Sequence, residues 1–599
     1  MVSRTYIPNN RYSCNGQTMS RVQKDLSSSP HQGLSQPEEK REMLRRSATT
    51  VPRICVVGAG VAGLRCADIL LKRGAQVTIL EARDRVGGRV CGGFKHPKET
   101  SIDFLQLCQG KVNGHMVDLG PNWIHGTEHN PILDMAKETK TATMSWDGRQ
   151  AVFDPHGKAM LDEEALQNTE LVWTIIEEAM KYSNDHNAEI PVEKSLYDFF
   201  AERLQKPHSY ENDDAESKRK RDTILQMAEM WGAFVGSPIQ SQSLKYFWLE
   251  ECIDGENLFV AETYHKVLSK AAEPALSGAD IKFGTKVTAI VSKGDAQSPK
   301  VVVKTHTEQD LTFDEVVMTT PLGWLKRNIQ AFTPSLPERL KEAIAAIGYG
   351  NLDKAYITFP EAFWNEPSDV SQSQPMHQPS VNPNVTATAA PLNQPSDSTI
   401  DPAHYPGFTL WTSPHYAESS NPAHWNQEAV NLAALPSPNA HPTLLFYTHG
   451  PTSLHLTDLL RPYKSPSDPE AQRVLSDFFK PYYSRLPNYS ASNPAHQPSA
   501  ILATLWANDE FAGFGSYSNF QTGLERGDED IEVMRYGLPE RGVWLAGEHT
   551  APFVALGTVT GAYWAGEGVA KRILKAYGLG EDEKGGGMSR MVDNTGHSA

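Results

Sequence analysis

The chain has 599 residues and a formal net charge of −16, enough length for two hydrophobic cores. The charge argues against a general nucleic-acid binder, whose phosphate contacts need a basic surface, and suits a cationic ligand. Cys14, Cys55, Cys66, Cys91, Cys108 and Cys252 include no CxxC pair, so neither a zinc site nor a disulfide framework is implied and a reducing compartment is the simpler assumption.

Residues 1–50 are polar and without hydrophobic period, which predicts a disordered leader lacking the apolar run of a signal peptide. Ile54-Cys-Val-Val then reads as a buried parallel strand running into Gly58-Ala-Gly60-Val-Ala-Gly63 and a helix over Leu64–Lys72. In such a loop Gly58 allows the tight turn, Gly60 lets backbone approach a pyrophosphate, and Gly63 lets helix and strand close up. A second strand, Val77–Leu80, ends at Glu81, 18 positions after Gly63 and close to the spacing of a ribose-binding carboxylate. The glycine pair Gly87-Gly88 is flanked by Arg83 and Arg89, whose guanidinium groups suit a pyrophosphate.

Leu161–Asn184 and Lys220–Ala233 have helical spacing of apolar residues. Lys354–Phe359, Phe408–Trp411 and Thr443–Tyr447 read as strands of an antiparallel meander with enlarged loops. Its loops are a Pro/Ser/Gln/Asn-rich insertion over 366–406 and a similar, less extreme stretch over 413–442. Near the end, Val543-Trp-Leu-Ala-Gly547-Glu548 is a strand and turn, followed by a Gly/Ala-rich helix start from Leu556. The tail after Gly578 reads as mobile. No apolar stretch has the length of a membrane span, and the C-terminus lacks a peroxisomal Ser-Lys-Leu signal, which leaves the cytoplasm as the default expectation.

Taken together, the glycine loop, Glu81 and the Arg-flanked glycine pair resemble the FAD-binding signature of the flavin-containing amine oxidases. The Trp123-Ile-His125-Gly segment is most similar to polyamine and spermine oxidases. The resemblance spans roughly residues 51–575, insertions aside. It implies an α/β fold with a discontinuous, Rossmann-like FAD domain of the glutathione-reductase type (51–128, 255–330, 500–577). An α+β substrate domain would be inserted between those segments (129–254, mainly helical; 331–499, the meander with its insertion), with 1–50 and 578–599 as leader and tail. It further implies that Ala62, Ala82, Gly88, Pro121, Asn122, Trp123, Val287, Trp506, Gly547, Glu548, Thr558 and Val559 join Gly58, Gly60, Gly63, Glu81, Arg83 and Arg89 around the cofactor. The Gly350-Asn-Leu-Asp-Lys354 segment resembles that of a lysine holding a water at the flavin, which makes Lys354 the candidate catalytic residue. By the same resemblance, Tyr517 walls the substrate cavity and His125 lies near the substrate amine. Ser516 stands where monoamine oxidases carry the cysteine that binds FAD covalently, so non-covalent FAD is expected.

The acidic segment Trp248-Leu-Glu250-Glu251 supplies two carboxylates for the distal ammonium of a polyamine, against the plainer reading of a solvated acidic face. The expected partners are a small-molecule amine and O2, with no nucleic acid and no membrane. The expected reaction is oxidation of an aliphatic amine, most simply a polyamine, with release of H2O2. A histone-demethylase-like amine oxidase and a catalytically idle flavoprotein scaffold are the alternatives.

Overall fold

In the computed structural model, residues 44–46, 51–90, 109–112, 114–205, 215–308, 310–365, 404–463 and 468–580 are described. Most of the expected leader, residues 366–403 of the insertion, and the tail beyond 580 lie outside them.

The elements that build the site are, in chain order, β1 (Arg53–Val57), α1 (Val61–Lys72), β2 (Gln76–Leu80), β3 (Gln150–Phe153), α2 (Asp162–His186), β4 (Asp280–Lys282), β5 (Glu315–Met318), β6 (Leu352–Thr358), β7 (Phe408–Trp411), β8 (Gln427–Asn431), β9 (Thr443–His449), β10 (Ala500–Ala503), β11 (Val543–Leu545) and α3 (Val559–Ala576). Strands β11, β5, β1, β2 and β4 form a parallel sheet in that order. Its two central strands carry continuous apolar runs, Ile54–Val57 and Val316–Met318, because both faces are covered. Ile54 and Val56 face the core that includes Leu64 of α1 and Val569 of α3, while Cys55 and Val57 face a second core on the other side. Helices α1 and α3 approach so closely that a Cβ on Gly566 would collide with the Ala62 backbone.

The second sheet has the order β10, β6, β9, β8, β7, β3. All its pairs are antiparallel except the parallel β7–β3 pair. Helix α2 lies nearby with Ala165, Val172, Ile176 and Ala179 buried along one stripe.

Two expectations change here. The stretch 413–442 is not merely an enlarged loop, because it contains β8, an internal strand paired to β7 and β9. Five residues between Pro-, Asn- and His-rich flanks are too short a run for alternation to stand out. Structure also reaches back before Val51. Arg46, within the expected leader, pairs with the buried Glu315 at 2.6 Å, and the same carboxylate accepts from Trp544 Nε1 at 2.8 Å and Tyr577 Oη at 3.0 Å.

Candidate active site

The loops at the carboxyl ends of β1, β2, β5 and β11 and one face of the second sheet border a cavity of about 480 Å³. At its first end stands the glycine loop. Gly58 has φ +108°, and a Cβ there would lie 2.7 Å from Thr319 Oγ1. Gly60 lines the cavity, and a Cβ on it would meet no protein atom within 4 Å, only the open space of the cavity. Gly63 does not line the cavity; its Cβ position is blocked by the Gly58 carbonyl, so it serves helix–strand packing. The Glu81 carboxylate accepts from Ala59 N at 2.7 Å and Arg83 N at 2.8 Å. Burial nevertheless raises its pKa, as expected of a desolvated carboxylate.

Around the same end, Ala62, Ala82, Gly88, Pro121, Val287, Trp506, Gly547 and Val559 all line the wall. Thr558 caps α3, its hydroxyl accepting from Gly561 N at 2.9 Å, so the helix N-terminus and its positive dipole end face the cavity. The arginines there already have protein partners. Arg83 donates to both Asp509 oxygens at 2.8 Å and stacks over Phe511. Arg89 bonds Glu548 at 3.0 Å and the Ser516 carbonyl at 2.5 Å. Glu548 also accepts from Ser518 Oγ at 2.6 Å. Although burial opposes it, the neighbouring Arg89 and these hydrogen bonds bring the Glu548 pKa below its ordinary value. The Ser516 hydroxyl is committed as well, donating to the Gly350 carbonyl at 3.0 Å and accepting from Leu352 N at 3.1 Å.

Lys354 sits mid-cavity on β6 and is only 6% exposed. Its Nζ donates to the carbonyls of Asp118 (3.3 Å) and Gly120 and to Asn122 Oδ1. Asn122 Oδ1 also accepts from Tyr447 Oη at 2.9 Å, Asn122 Nδ2 donates to Tyr356 Oη at 3.3 Å, and Tyr356 Oη donates to the Asp118 carbonyl at 2.6 Å. Asn122 lines the cavity as expected, yet its side chain is spent on holding the lysine and two tyrosines. Next door, the buried Asp353 accepts from Ser453 Oγ, Thr504 Oγ1 and Trp506 N at 2.6–2.8 Å. That carboxylate ties the start of β6 to the Trp506 turn.

The far end of the cavity is aromatic and acidic. Trp123, Trp146, Trp173, Trp231, Phe234 and Phe408 line it together with Tyr447, and Tyr517 lies between the two ends, its ring beside Gly557 at the N-terminus of α3. Tyr517 Oη donates to the Phe234 carbonyl at 2.7 Å. His125 lines the wall and burial lowers its pKa, which keeps the ring neutral near pH 7. Glu250 lines the cavity, and burial pushes its pKa up to about 8 despite hydrogen bonds from Phe520 N and Gln242. Glu251, the other carboxylate expected there, is buried but lies outside the cavity wall. In its place stands Glu428 of β8, with a pKa raised to about 7 by burial. Sequence reasoning missed Glu428 because it fell inside a stretch read as loop. The run Gln427-Glu-Ala-Val-Asn431 carries no polar/apolar alternation that could have marked it as a strand.

The flavin containing amine oxidoreductase family matches residues 61–574 of this sequence. The chain belongs to that family. A match to the pyridine nucleotide-disulphide oxidoreductase family covers residues 17–94, and the cofactor of this fold is FAD. The glycine cradle, the capped N-terminus of α3 and the carboxylate of Glu81 fit a dinucleotide at one end of the cavity.

Among individual proteins, probable polyamine oxidase 4 of Arabidopsis thaliana is 26% identical over 54% of the chain. That match covers 61% of the relative, so it spans about three-fifths of the relative's length. A corticosteroid-binding protein of Candida albicans is 23% identical over 88% of the chain and 97% of its own length. Lysine-specific histone demethylase 1 homolog 2 of Arabidopsis thaliana is 27% identical over 53% of the chain and 39% of its own length. In three dimensions the chain is similar to wild-type putrescine oxidase bound to putrescine, with a TM-score of 0.56 at 17% identity, covering 88% of this chain and 99% of that one.

Proposed function

We propose that the protein oxidises an aliphatic amine, most simply a polyamine, within this cavity. The observation that carries the reading is the placement of Lys354. A buried lysine held by three acceptors shares one cavity with the glycine cradle at one end and half-buried carboxylates at the other. Bound FAD would supply the two-electron chemistry, so that overall the substrate amine, water and O2 give an aldehyde, an amine and H2O2. Gly58, Gly60, Glu81, Glu548 and the N-terminus of α3 are the residues we assign to holding it. Its attachment is non-covalent, because the residue at 516 is a serine whose hydroxyl is engaged by the Gly350 carbonyl and Leu352 N.

The protein's own contributions are positioning and proton control. The carbonyls of Asp118 and Gly120, with Asn122, take up the three donors of the Lys354 ammonium, so a water presented by the lysine to the reacting carbon–nitrogen bond takes the place of one of these acceptors. A free alkylammonium titrates near ~10, and the aromatic, water-poor end of the cavity favours its neutral, oxidisable form. His125, neutral by burial, adds a polar contact there without a competing positive charge.

The reading is tested by a peroxide-coupled assay on FAD-loaded enzyme against spermine, spermidine, N-acetylated polyamines, benzylamine and a dimethyl-lysine peptide. Peroxide from polyamines alone supports it, and peroxide from the peptide alone replaces it with a demethylase-like activity. One observation favours a second reading. The corticosteroid-binding relative matches nearly its whole length, and most of the far-end wall is aromatic. An enzyme silent toward every amine but binding a steroid would be a flavoprotein ligand carrier.

A further inference from the structure

Across the second sheet, three side chains stand in one row. Lys354 of β6 pairs with Tyr447 of β9, and Tyr447 pairs with Glu428 of β8. Directly opposed residues in antiparallel strands share a face, so all three point into the cavity that they line. Two strand spacings, roughly 10 Å, separate the backbone of Lys354 from that of Glu428. The row continues through Leu410 to Val152, both apolar and 1% exposed, so the sheet offers Glu428 no polar neighbour on that side.

A buried carboxylate is ordinarily paired with a cation or held by donors. Glu428 has neither among the described residues: no ion pair reaches it, and its Oε2 is buried without a hydrogen-bond partner. Lys354, the nearest cation in the row, is turned away to Asp118, Gly120 and Asn122. Around the carboxylate the walls are aromatic, with Tyr447 beside it and Phe408 stacked against Trp123. A carboxylate bordered by ring faces is a suitable pocket for an alkylammonium.

We propose that Glu428 binds a second, non-reacting ammonium of the substrate, so that the cavity selects amines carrying a cationic nitrogen about two strand spacings from the lysine. This rests on the amine-oxidase reading above and adds a specificity determinant to it. Glu250, near Tyr517, is a separate carboxylate of the same cavity. The single charge of Glu428 therefore accounts for recognition on the β8 side only.

The test uses FAD-loaded enzyme reduced anaerobically with dithionite, which binds amines without turning them over. Calorimetry compares spermidine with N-butylpropylamine, the same secondary amine with hydrogen replacing both terminal amino groups. Wild type should bind spermidine at least about tenfold more tightly. Glu428→Gln, equal in volume, should lose most of that preference while binding N-butylpropylamine as before and keeping its flavin spectrum. Glu428→Asp, which keeps the charge, should retain part of it. A wild type without preference, or a flavin-loaded Glu428→Gln that keeps the full preference, overturns the proposal. Should Glu428→Gln fail to load FAD, Glu428→Asp decides alone: a preference below that of wild type supports the proposal, and one equal to or above it overturns the proposal. A failure of the oxidised enzyme to make peroxide would count against the amine-oxidase reading and would leave this binding comparison intact.

Discussion

The two ends of the cavity treat charge in opposite ways. At the glycine-loop end the charged side chains are matched within the protein: Arg89 with Glu548, Arg83 with Asp509, Lys286 with Glu510, and Glu81 with two backbone N–H groups. At the aromatic end Glu250 and Glu428 are half-buried against the cavity with no protein cation among the described residues, and desolvation dominates both. A neutralised end is preorganised for a ligand that stays. On the proposed reading, the end with unmatched carboxylates is completed by a cationic ligand, and its electrostatics then belong to binding and not to folding.

The largest effect should come from breaking the matched end. Removing one partner of a buried pair leaves the other charge uncompensated, at a cost of about 3–5 kcal/mol. Arg89→Ala, which strands the 5%-exposed Glu548 side chain, should lower the melting temperature sharply and reduce FAD content in purified protein. Unchanged melting and full flavin loading would show that this end is not held by its internal charges. Next in size is Lys354→Met, which keeps length and removes the donor. Turnover should fall by on the order of 100-fold with flavin absorbance intact, as read by single-turnover reduction and peroxide release. Wild-type rates in that variant would remove Lys354 from the chemistry and leave it as a structural link to Asn122.

The contrast between the ends also explains what was readable beforehand. The nucleotide-binding half is written in local sequence: a strand, three glycines and a carboxylate within 24 positions, from Gly58 to Glu81, each demanded by backbone geometry. The overall α/β class followed from the same segments. The aromatic end is assembled from β6, β7, β8, β9 and α2, which are distant in sequence, so its content depends on strand register. Glu428 reaches the cavity because it opposes Tyr447, and Glu251 leaves it because its neighbour Glu250 takes the inward position. No local pattern encodes either fact. The partners of Asn122 and Arg83 were equally hidden, since Tyr356, Tyr447 and Asp509 lie hundreds of residues away.

A pH titration sharpens the comparison from the other end. Glu428, with a pKa of about 7, and Glu250, at about 8, are raised by burial. Both are therefore mainly neutral at pH 6 and gain charge as pH rises. Affinity of reduced enzyme for spermidine should accordingly increase by about tenfold between pH 6 and 8, since a group of pKa 7 goes from about one-tenth to nine-tenths ionised over that range. N-Butylpropylamine should show little of this dependence, because it brings no second ammonium to the carboxylates. Equal pH profiles for the two amines would mean that neither carboxylate meets the ligand.

The smallest expected effect is the most discriminating between neighbours in sequence. Glu251 is 5% exposed yet off the cavity wall, whereas Glu250 is on it. Glu251→Gln should leave KM for a polyamine within roughly twofold, because a charge outside the site acts on it only through a screened medium. Assayed above pH 8, where Glu250 is mainly ionised, Glu250→Gln should raise KM by several-fold, the loss expected when a charge-assisted hydrogen bond becomes neutral. Should the two substitutions exchange these effects, the turn after Leu249 presents the opposite carboxylate to the substrate. The unmatched charge at that end of the cavity would then have to be assigned to Glu428 and Glu251.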